Sequence, residues 1–397
     1  MNKRRVAVVY QVLQHYREPL FELLTKSEKA EYVFLASPVN DINDVKTIDP
    51  SKAQLPLEQG GLRWHLIQNR LFGKRFIWQR GVIGEIVLGS YSAIVFLGNA
   101  SYLSTWVAAI LARILGKRVL MWSHGFRRRE VGLKGYLRSS FYRLSNGMLL
   151  YGHRAKHIME GRGFHKEDLY VVYNSLDYDA QISTRKALIG LDRAMVRARY
   201  FSEPAIPTAI FVGRLVPTKE IWRLIDACAR LEASGRPLNV LIVGEGPSRA
   251  GLASLAAELH VSHRVYFYGG CYEEAELGAL FMSSDTCVCP GDCGLLAIHS
   301  LAYGVPVVTH DNLDEQKPEV EAVVPGVTGV LYSQGDQASL VASILGSLAL
   351  PASQRDLSIG CREIIDAFYN PAYQVKVIEA AVAGEPAEDY ECDTYAS

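Results

Sequence analysis

The stretch Cys289-Pro290-Gly291-Asp292-Cys293-Gly294-Leu295-Leu296-Ala297-Ile298-His299-Ser300-Leu301-Ala302-Tyr303-Gly304-Val305-Pro306-Val307-Val308 decides the fold. It leaves a strand-like run, Thr286 to Cys289, and turns through a loop holding Gly291 and Gly294. It continues as an apolar helical segment to Ala302, then passes through Gly304-Val305-Pro306 into a second β-branched run, Pro306 to Thr309. Strand, loop, helix and strand in that order make a βαβ unit, whose parallel sheet is covered on both faces. The start of that helix offers unpaired backbone N–H groups and a partial positive charge around Gly294 and Leu295, which suits an anion.

The same alternation recurs on either side. Upstream, strand signals fall at Val6 to Tyr10, Tyr32 to Ala36, Trp64 to Ile67, Ala93 to Leu97, Arg118 to Trp122, Gly147 to Tyr151 and Leu169 to Val172. They restart at Thr208 to Val212, Asn239 to Val243, Val265 to Tyr268 and Gly329 to Tyr332. A chain of 397 residues exceeds one ordinary core. The expected division is a first α/β domain over 1–176, a linker with one helix over 177–207, and a second α/β domain over 208–360. Helices over 361–384, broken at Asn370-Pro371, are expected to pack toward the first domain, ahead of an acidic, disordered tail over 385–397.

Lysine plus arginine balance aspartate plus glutamate at 42 each, which removes the global electrostatic argument for a nucleic-acid partner. The seven cysteines all lie in the second half, odd in number and irregularly spaced, so a reducing compartment fits better than a disulfide framework. Cys287, Cys289 and Cys293 have a spacing a metal could use, but the first two read as small apolar residues of a buried strand, and no metal is expected. Five apolar residues before Gln11 are too few for a signal-peptide core. Trp106 to Trp122 is interrupted by Arg113, Lys117 and Arg118, against a bilayer span. A cytoplasmic protein follows as the expectation, with peripheral contact at the membrane face.

In open parallel sheets ligands bind beyond the carboxyl ends of strands. Gly213-Arg214-Leu215-Val216-Pro217-Thr218-Lys219-Glu220 follows one such strand and puts two cations where a diphosphate would lie; a solvated pair is the plainer reading. Gly244-Glu245-Gly246-Pro247 follows the next, a tight turn that alone says little. These segments, then Gly294 to Val308, Pro318-Glu319 and Gly326-Val327-Thr328-Gly329, together resemble the donor domain of family-4 retaining glycosyltransferases over about Thr208 to Tyr332.

The resemblance implies the α/β GT-B architecture, two Rossmann-like doubly wound domains facing across a cleft. It implies that Gly213, Arg214 and Lys219 meet the donor diphosphate, and that Asp292, Cys293, Gly294 and Leu295 hold sugar and phosphate. The base would lie near Tyr268, Gly269 and Gly270. The family usually carries two glutamates with seven residues between them, and Gly291 and His299 stand at those positions. A neutral His299 has one acceptor nitrogen for a ribose hydroxyl, or is a satisfied histidine on a helix. Asp292 is displaced by one residue from the first glutamate.

In the first half, His124 follows a strand, and the resemblance puts it near the donor sugar, with Arg214 and Lys219 as catalytic residues. Tyr10, Gln14, His15, Tyr16 and Arg17 follow the first strand, where this architecture takes acceptors. Asn99 and Asn174 are further candidates, or turn residues. Arg127, Arg128, Arg129, Lys134 and Arg138 suit anionic lipid head groups or a pyrophosphate-linked lipid, or form a solvated helix face. The expected reaction moves a sugar, with retention and without metal or cofactor, from a nucleoside-diphosphate sugar to a hydroxyl of a glycan or lipid-linked glycan. Bacterial cell-surface polysaccharide assembly is the expected setting. A nucleotide-sugar epimerase or a non-catalytic binding subunit would share the layout.

Overall fold

Runs of valine, isoleucine and leucine form strands whose side chains are buried on both faces, as a parallel sheet between helix layers requires. The computed structural model describes residues 3–39, 46–73, 75–128, 130–350 and 354–388. By packing, residues up to Asp177 together with those from Asn370 form one unit, and Tyr178–Tyr369 the other.

The first unit comprises β1 (Arg4–Val12), α1 (Glu18–Thr25), β2 (Ala30–Ser37), β3 (Trp64–Leu66), β4 (Gln68–Phe72), β5 (Phe76–Arg80), α2 (Val82–Leu88) and β6 (Ala93–Leu97). It continues with α3 (Leu103–Ile114), β7 (Arg118–Ser123), α4 (Gly132–Tyr142), β8 (Gly147–Leu150), α5 (His153–Glu160) and β9 (Leu169–Val171). Seven strands make a parallel sheet in the order β3-β2-β1-β6-β7-β8-β9, while β4 and β5 form a separate antiparallel hairpin. The hairpin has no counterpart in the sequence reading, because four of the five β4 residues are exposed and carry no apolar alternation.

The second unit runs α6 (Tyr178–Ala187), α7 (Arg193–Arg197), β10 (Thr208–Val212), α8 (Trp222–Ala233), β11 (Asn239–Val243), α9 (Arg249–Glu258), β12 (Val265–Gly269) and α10 (Glu274–Met282). Then come β13 (Thr286–Cys289), α11 (Leu295–Ala302), β14 (Val307–His310), β15 (Gly329–Tyr332), α12 (Gln337–Leu348) and α13 (Gln354–Phe368). Its six strands are parallel, in the order β12-β11-β10-β13-β14-β15. The last helix, α14 (Pro371–Ala383), packs on the first unit.

Three boundaries differ from expectation. The stretch expected as a linker is built into the second unit, since Arg193 and Arg197 grip the two oxygens of Asp285 at 2.6 and 2.7 Å, just ahead of β13. The helical pair divides between the units. Asp366 of α13 bonds Tyr178 and Arg185 of α6, whereas Gln374 of α14 is buried between Ser175 Oγ (2.6 Å) and the Tyr173 carbonyl (3.1 Å). The first residues of the expected disordered tail are held: Ala387 N donates to Glu167 O at 2.9 Å, and Lys376 pairs with Glu388 at 2.9 Å. Arg129 and the tail beyond Glu388 lie outside the described residues.

Candidate functional site

The strand order of the second sheet reverses between β10 and β13, with β11 and β12 on one side and β14 and β15 on the other. Chains leaving two such neighbours diverge, which opens a crevice at their carboxyl ends. The segment after β10 and the loop after β13 are stitched together there. Gly291 N donates to Lys219 O (3.0 Å) and Asp292 N to Thr218 O (3.3 Å). Lys219 Nζ in turn donates to Asp292 O at 2.6 Å and lies 2.9 Å from Asp292 Oδ1. Lys317 Nζ reaches the other carboxylate oxygen at 3.1 Å.

Two ammonium groups on one carboxylate leave a net positive charge. Burial opposes the charge on Lys219, yet neighbouring Cys289 and the hydrogen-bonded Asp292 hold its pKa above the ordinary lysine value, so it stays protonated. Arg214 is exposed at the same strand end. Helix α11 starts at Leu295 behind Gly294, an N-cap residue with no side chain of its own, so its first turn brings backbone N–H groups and the positive end of the helix dipole to the loop, with the buried Glu319 carboxylate nearby. Buried Gln316 pins the loop: its Oε1 accepts from Cys293 N (2.7 Å), and its Nε2 donates to Thr309 Oγ1 (2.9 Å) and His310 O (3.0 Å).

Beside this crevice the ends of β10, β11 and β12 lie close. Gly244 N donates to Gly269 O at 2.7 Å, and a Cβ on Gly244 would lie 1.9 Å from Gly213 O at a backbone φ of +142°. Only glycine permits that approach. Gly270 follows directly, and Tyr268 OH donates to Glu276 Oε1 at 3.2 Å.

His299, one turn into α11, meets a carboxylate from another helix. Its Nε2 is 2.9 Å from Glu274 Oε1, which also accepts from Tyr303 OH at 2.5 Å. Burial pushes the Glu274 carboxyl up, but His299, by hydrogen bond and charge, and the Tyr303 hydroxyl outweigh it and hold the pKa below the ordinary range. A second carboxylate at 299 would face Glu274. His299→Glu is therefore expected to lower stability by about 1–3 kcal/mol in urea melts above pH 7, and Glu274→Gln in the same chain to restore most of it.

In the first unit the order reverses between β1 and β6. Arg17, after β1, is buried, donating to Tyr10 OH (3.2 Å), Tyr16 OH (3.1 Å), Tyr151 OH (2.8 Å) and Asn174 Oδ1 (3.3 Å). Its guanidinium lies 4.8 Å from the Trp122 ring. Tyr10 and Arg17 thus sit beneath the surface, whereas His15 is exposed and Tyr16 half-buried. His124 is exposed, its ring 4.6 Å from that of Tyr151. Asn99, after β6, accepts from Ser101 N (3.0 Å) and Oγ (2.8 Å), a turn-forming arrangement.

Sequence reasoning missed Gln316, Lys317, Glu274 and Tyr151, each of which meets a residue more than twenty positions away, so no local motif marks them. Cys287, Cys289 and Cys293 are buried, and the described residues contain no group of three or more His, Cys, Asp or Glu placed to hold a metal. No helix among the described residues is long and apolar enough to cross a membrane.

Residues 196–363 match the family model of glycosyl transferases group 1. The chain is 37% identical over 169 residues to D-inositol 3-phosphate glycosyltransferase of Nocardia farcinica, covering 39% of this chain and 36% of that one. It is 33% identical over 162 residues to a glycogen synthase of Halorhodospira halophila, covering 40% and 33%. These matches span about a third of the length of those relatives. Two solved structures are similar along nearly the whole chain. The lipopolysaccharide outer core galactosyltransferase WaaB aligns with TM-score 0.67 at 15% identity, covering 96% of this chain and 99% of that one. Anabaena Alr3699/HepE in complex with UDP aligns with TM-score 0.68 at 16% identity and the same coverage. The architecture is accordingly GT-B, two Rossmann-like parallel-sheet α/β units.

Proposed function

We propose that this protein, whose second unit carries a glycosyl transferases group 1 domain, moves a sugar from a nucleoside-diphosphate sugar to an acceptor hydroxyl. The observation that carries the reading is the meeting of Lys219, Lys317 and the glycine-led start of α11 at the switch point between β10 and β13. Cations and N–H groups fixed in place before reaction stabilise the charge that builds on a departing diphosphate. Protein groups supply that charge, so the reading calls for no divalent ion. Arg214 joins Lys219 on the diphosphate. Asp292 to Leu295 hold sugar and phosphate, and Gly269 and Gly270 lie beside the base.

The anomeric carbon–oxygen bond breaks and its electron pair leaves with the nucleoside diphosphate. The acceptor oxygen bonds to the same carbon, and its proton passes to the departing phosphate. Delivery on the face the diphosphate leaves gives retention. His124 steadies the sugar as positive charge develops, and His15, Tyr16 and Asn99 of the first unit meet the acceptor, with Arg17, itself bonded to Tyr10, holding Tyr16 in place. A glycan or lipid-linked glycan of bacterial surface polysaccharide is the acceptor class this reading favours. Its support is the likeness in fold to a lipopolysaccharide galactosyltransferase.

A thermal-shift series with UDP, GDP and ADP tests the donor site. The right nucleotide at 100 times its Kd is expected to raise Tm by about 5–10 °C, and the corresponding sugar nucleotide is consumed only when an acceptor is present. No response to any nucleotide would remove the reading. An epimerised sugar without acceptor would replace it with an isomerase.

A further inference from the structure

Helices α2, α3 and α4 cover one face of the first sheet, supplying Val82 and Ile86, Ala108, Ala109 and Ala112, and Phe141 and Tyr142 to a single core cluster. The Trp106 and Phe141 rings, 4.8 Å apart, join α3 to α4. A helix in this position ordinarily turns its large apolar side chains toward the sheet and polar ones to water. Here α3 does the reverse. It lays three alanines on the sheet and exposes Leu103, Val107, Ile110 and Ile114, a stripe at i, i+4, i+7 and i+11.

Its neighbour α4 buries Phe141 and Tyr142 near its end but exposes large apolar side chains along its first two turns. On α4, Leu133 and Tyr136 are 73% and 70% exposed, Leu137 follows on the same stripe, and Val131 just before the helix is 90% exposed. At the end of α2, Leu88 is 87% exposed. The β4–β5 hairpin, whose Ile77 bridges to Tyr102 at the start of α3, exposes Phe72 and Phe76. Single exposed apolar residues are ordinary, but a surface of this kind across three helices and a hairpin marks a binding face.

Charge selects the occupant. Residues 68–142 hold twelve lysines and arginines and only Glu85 and Glu130 as acids, in a chain that totals 42 of each sign. Glu130 is paired with Arg138 at 2.6 Å, and Glu85 accepts from Tyr91 OH at 3.2 Å. Arg70, Arg75, Arg128 and Lys134 are exposed among the apolar side chains. A second copy of the chain would bring the same cations against these, since a two-fold interface repeats one patch on both sides. A plane of negative charge backed by hydrocarbon matches both features.

We propose that the outer face of α2, α3 and α4, with the β4–β5 hairpin, seats the first unit on an anionic bilayer surface. The apolar side chains enter the interfacial zone, and the arginines and lysines sit at the lipid phosphates. This adds a partner to the function proposed above, and the binding needs neither donor nor acceptor, so its failure and that of the transferase reading are separable.

The test is sedimentation of the full chain with phosphatidylcholine vesicles, with and without about one-third phosphatidylglycerol. Partition onto the anionic vesicles is expected, at least tenfold above neutral ones and reduced by 0.5 M salt. Leu133→Ser with Leu137→Ser is expected to lose at least tenfold in partition with Tm lowered by no more than about 2–4 °C, because Leu133 is 73% exposed and Leu137 half-exposed. Ile189→Ser, at an exposed apolar position of the second unit, is expected to bind as the parent does. Equal binding by the Leu133/Leu137 variant and the parent would overturn the proposal. So would a parent dimer by light scattering that the same variant converts to monomer, which would make the face an interface between copies.

Discussion

Lys219→Ala is expected to lower kcat by about 10²–10³-fold, the usual cost of removing one fixed charge from a site where negative charge develops. Lys219 is the group through which the two strand ends communicate: it donates to the Asp292 carbonyl and lies 2.9 Å from its carboxylate. Its loss both removes a cation and leaves Asp292 with Lys317 as its remaining ammonium partner, so the site turns from net positive toward neutral. Asp292→Asn separates two roles. If Lys219 serves only to latch the loop through the Asp292 carboxylate, both variants fall equally. If the ammonium acts on the diphosphate, Asp292→Asn keeps the cation and loses far less, and the double variant shows strong coupling. Lys219→Ala turning over within threefold of the parent would dismiss the assigned role.

The parts legible in the sequence are those whose physics is local. Strands such as Val6 to Tyr10 and Asn239 to Val243 declare themselves through β-branched runs, and the loop before α11 through glycines at a strand-to-helix turn. The hairpin of β4 and β5 is invisible to the same reasoning, because four of the five β4 residues are exposed and β5 buries polar Gln79 beside Ile77 while exposing Phe76, so neither strand shows an apolar alternation. The stretch before β10 reads as a linker until Asp285, nearly ninety residues on, is seen to bind Arg193 and Arg197. The site divides the same way. Lys219 is found from its place after a strand, but that it meets Asp292 is a fact of topology, set by β10 and β13 being neighbours. Glu274 against His299 is likewise a meeting of two helices that no spacing announces.

Gly291 offers the sharpest contrast between local and tertiary demands. A Cβ there would lie 2.1 Å from Thr218 O and 2.7 Å from the Lys219 carbonyl carbon, both backbone atoms that cannot swing aside. Gly291→Ala is therefore expected to cost about 1–3 kcal/mol, read as a Tm lower by about 2–12 °C for a unit of this size. Gly346→Ala supplies the control: that glycine lies within α12 with nothing inside 4 Å of the added carbon. It is expected to gain about 0.5–1 kcal/mol from helix propensity alone.

The effect of Gly291→Ala on turnover is expected to exceed its effect on stability, because the clash falls on the hydrogen bonds that hold Lys219 beside Asp292. A displacement of about 1 Å in such a group can cost 10²-fold. The resemblance read from the sequence puts a glutamate at this position, so Gly291→Glu supplies the carboxylate that this chain lacks there. It carries the same Cβ into the same carbonyl and is expected to turn over no faster than Gly291→Ala. Full activity in Gly291→Glu would mean that the loop can move away from Thr218, and that the close backbone packing at 291 is not what keeps a carboxylate out.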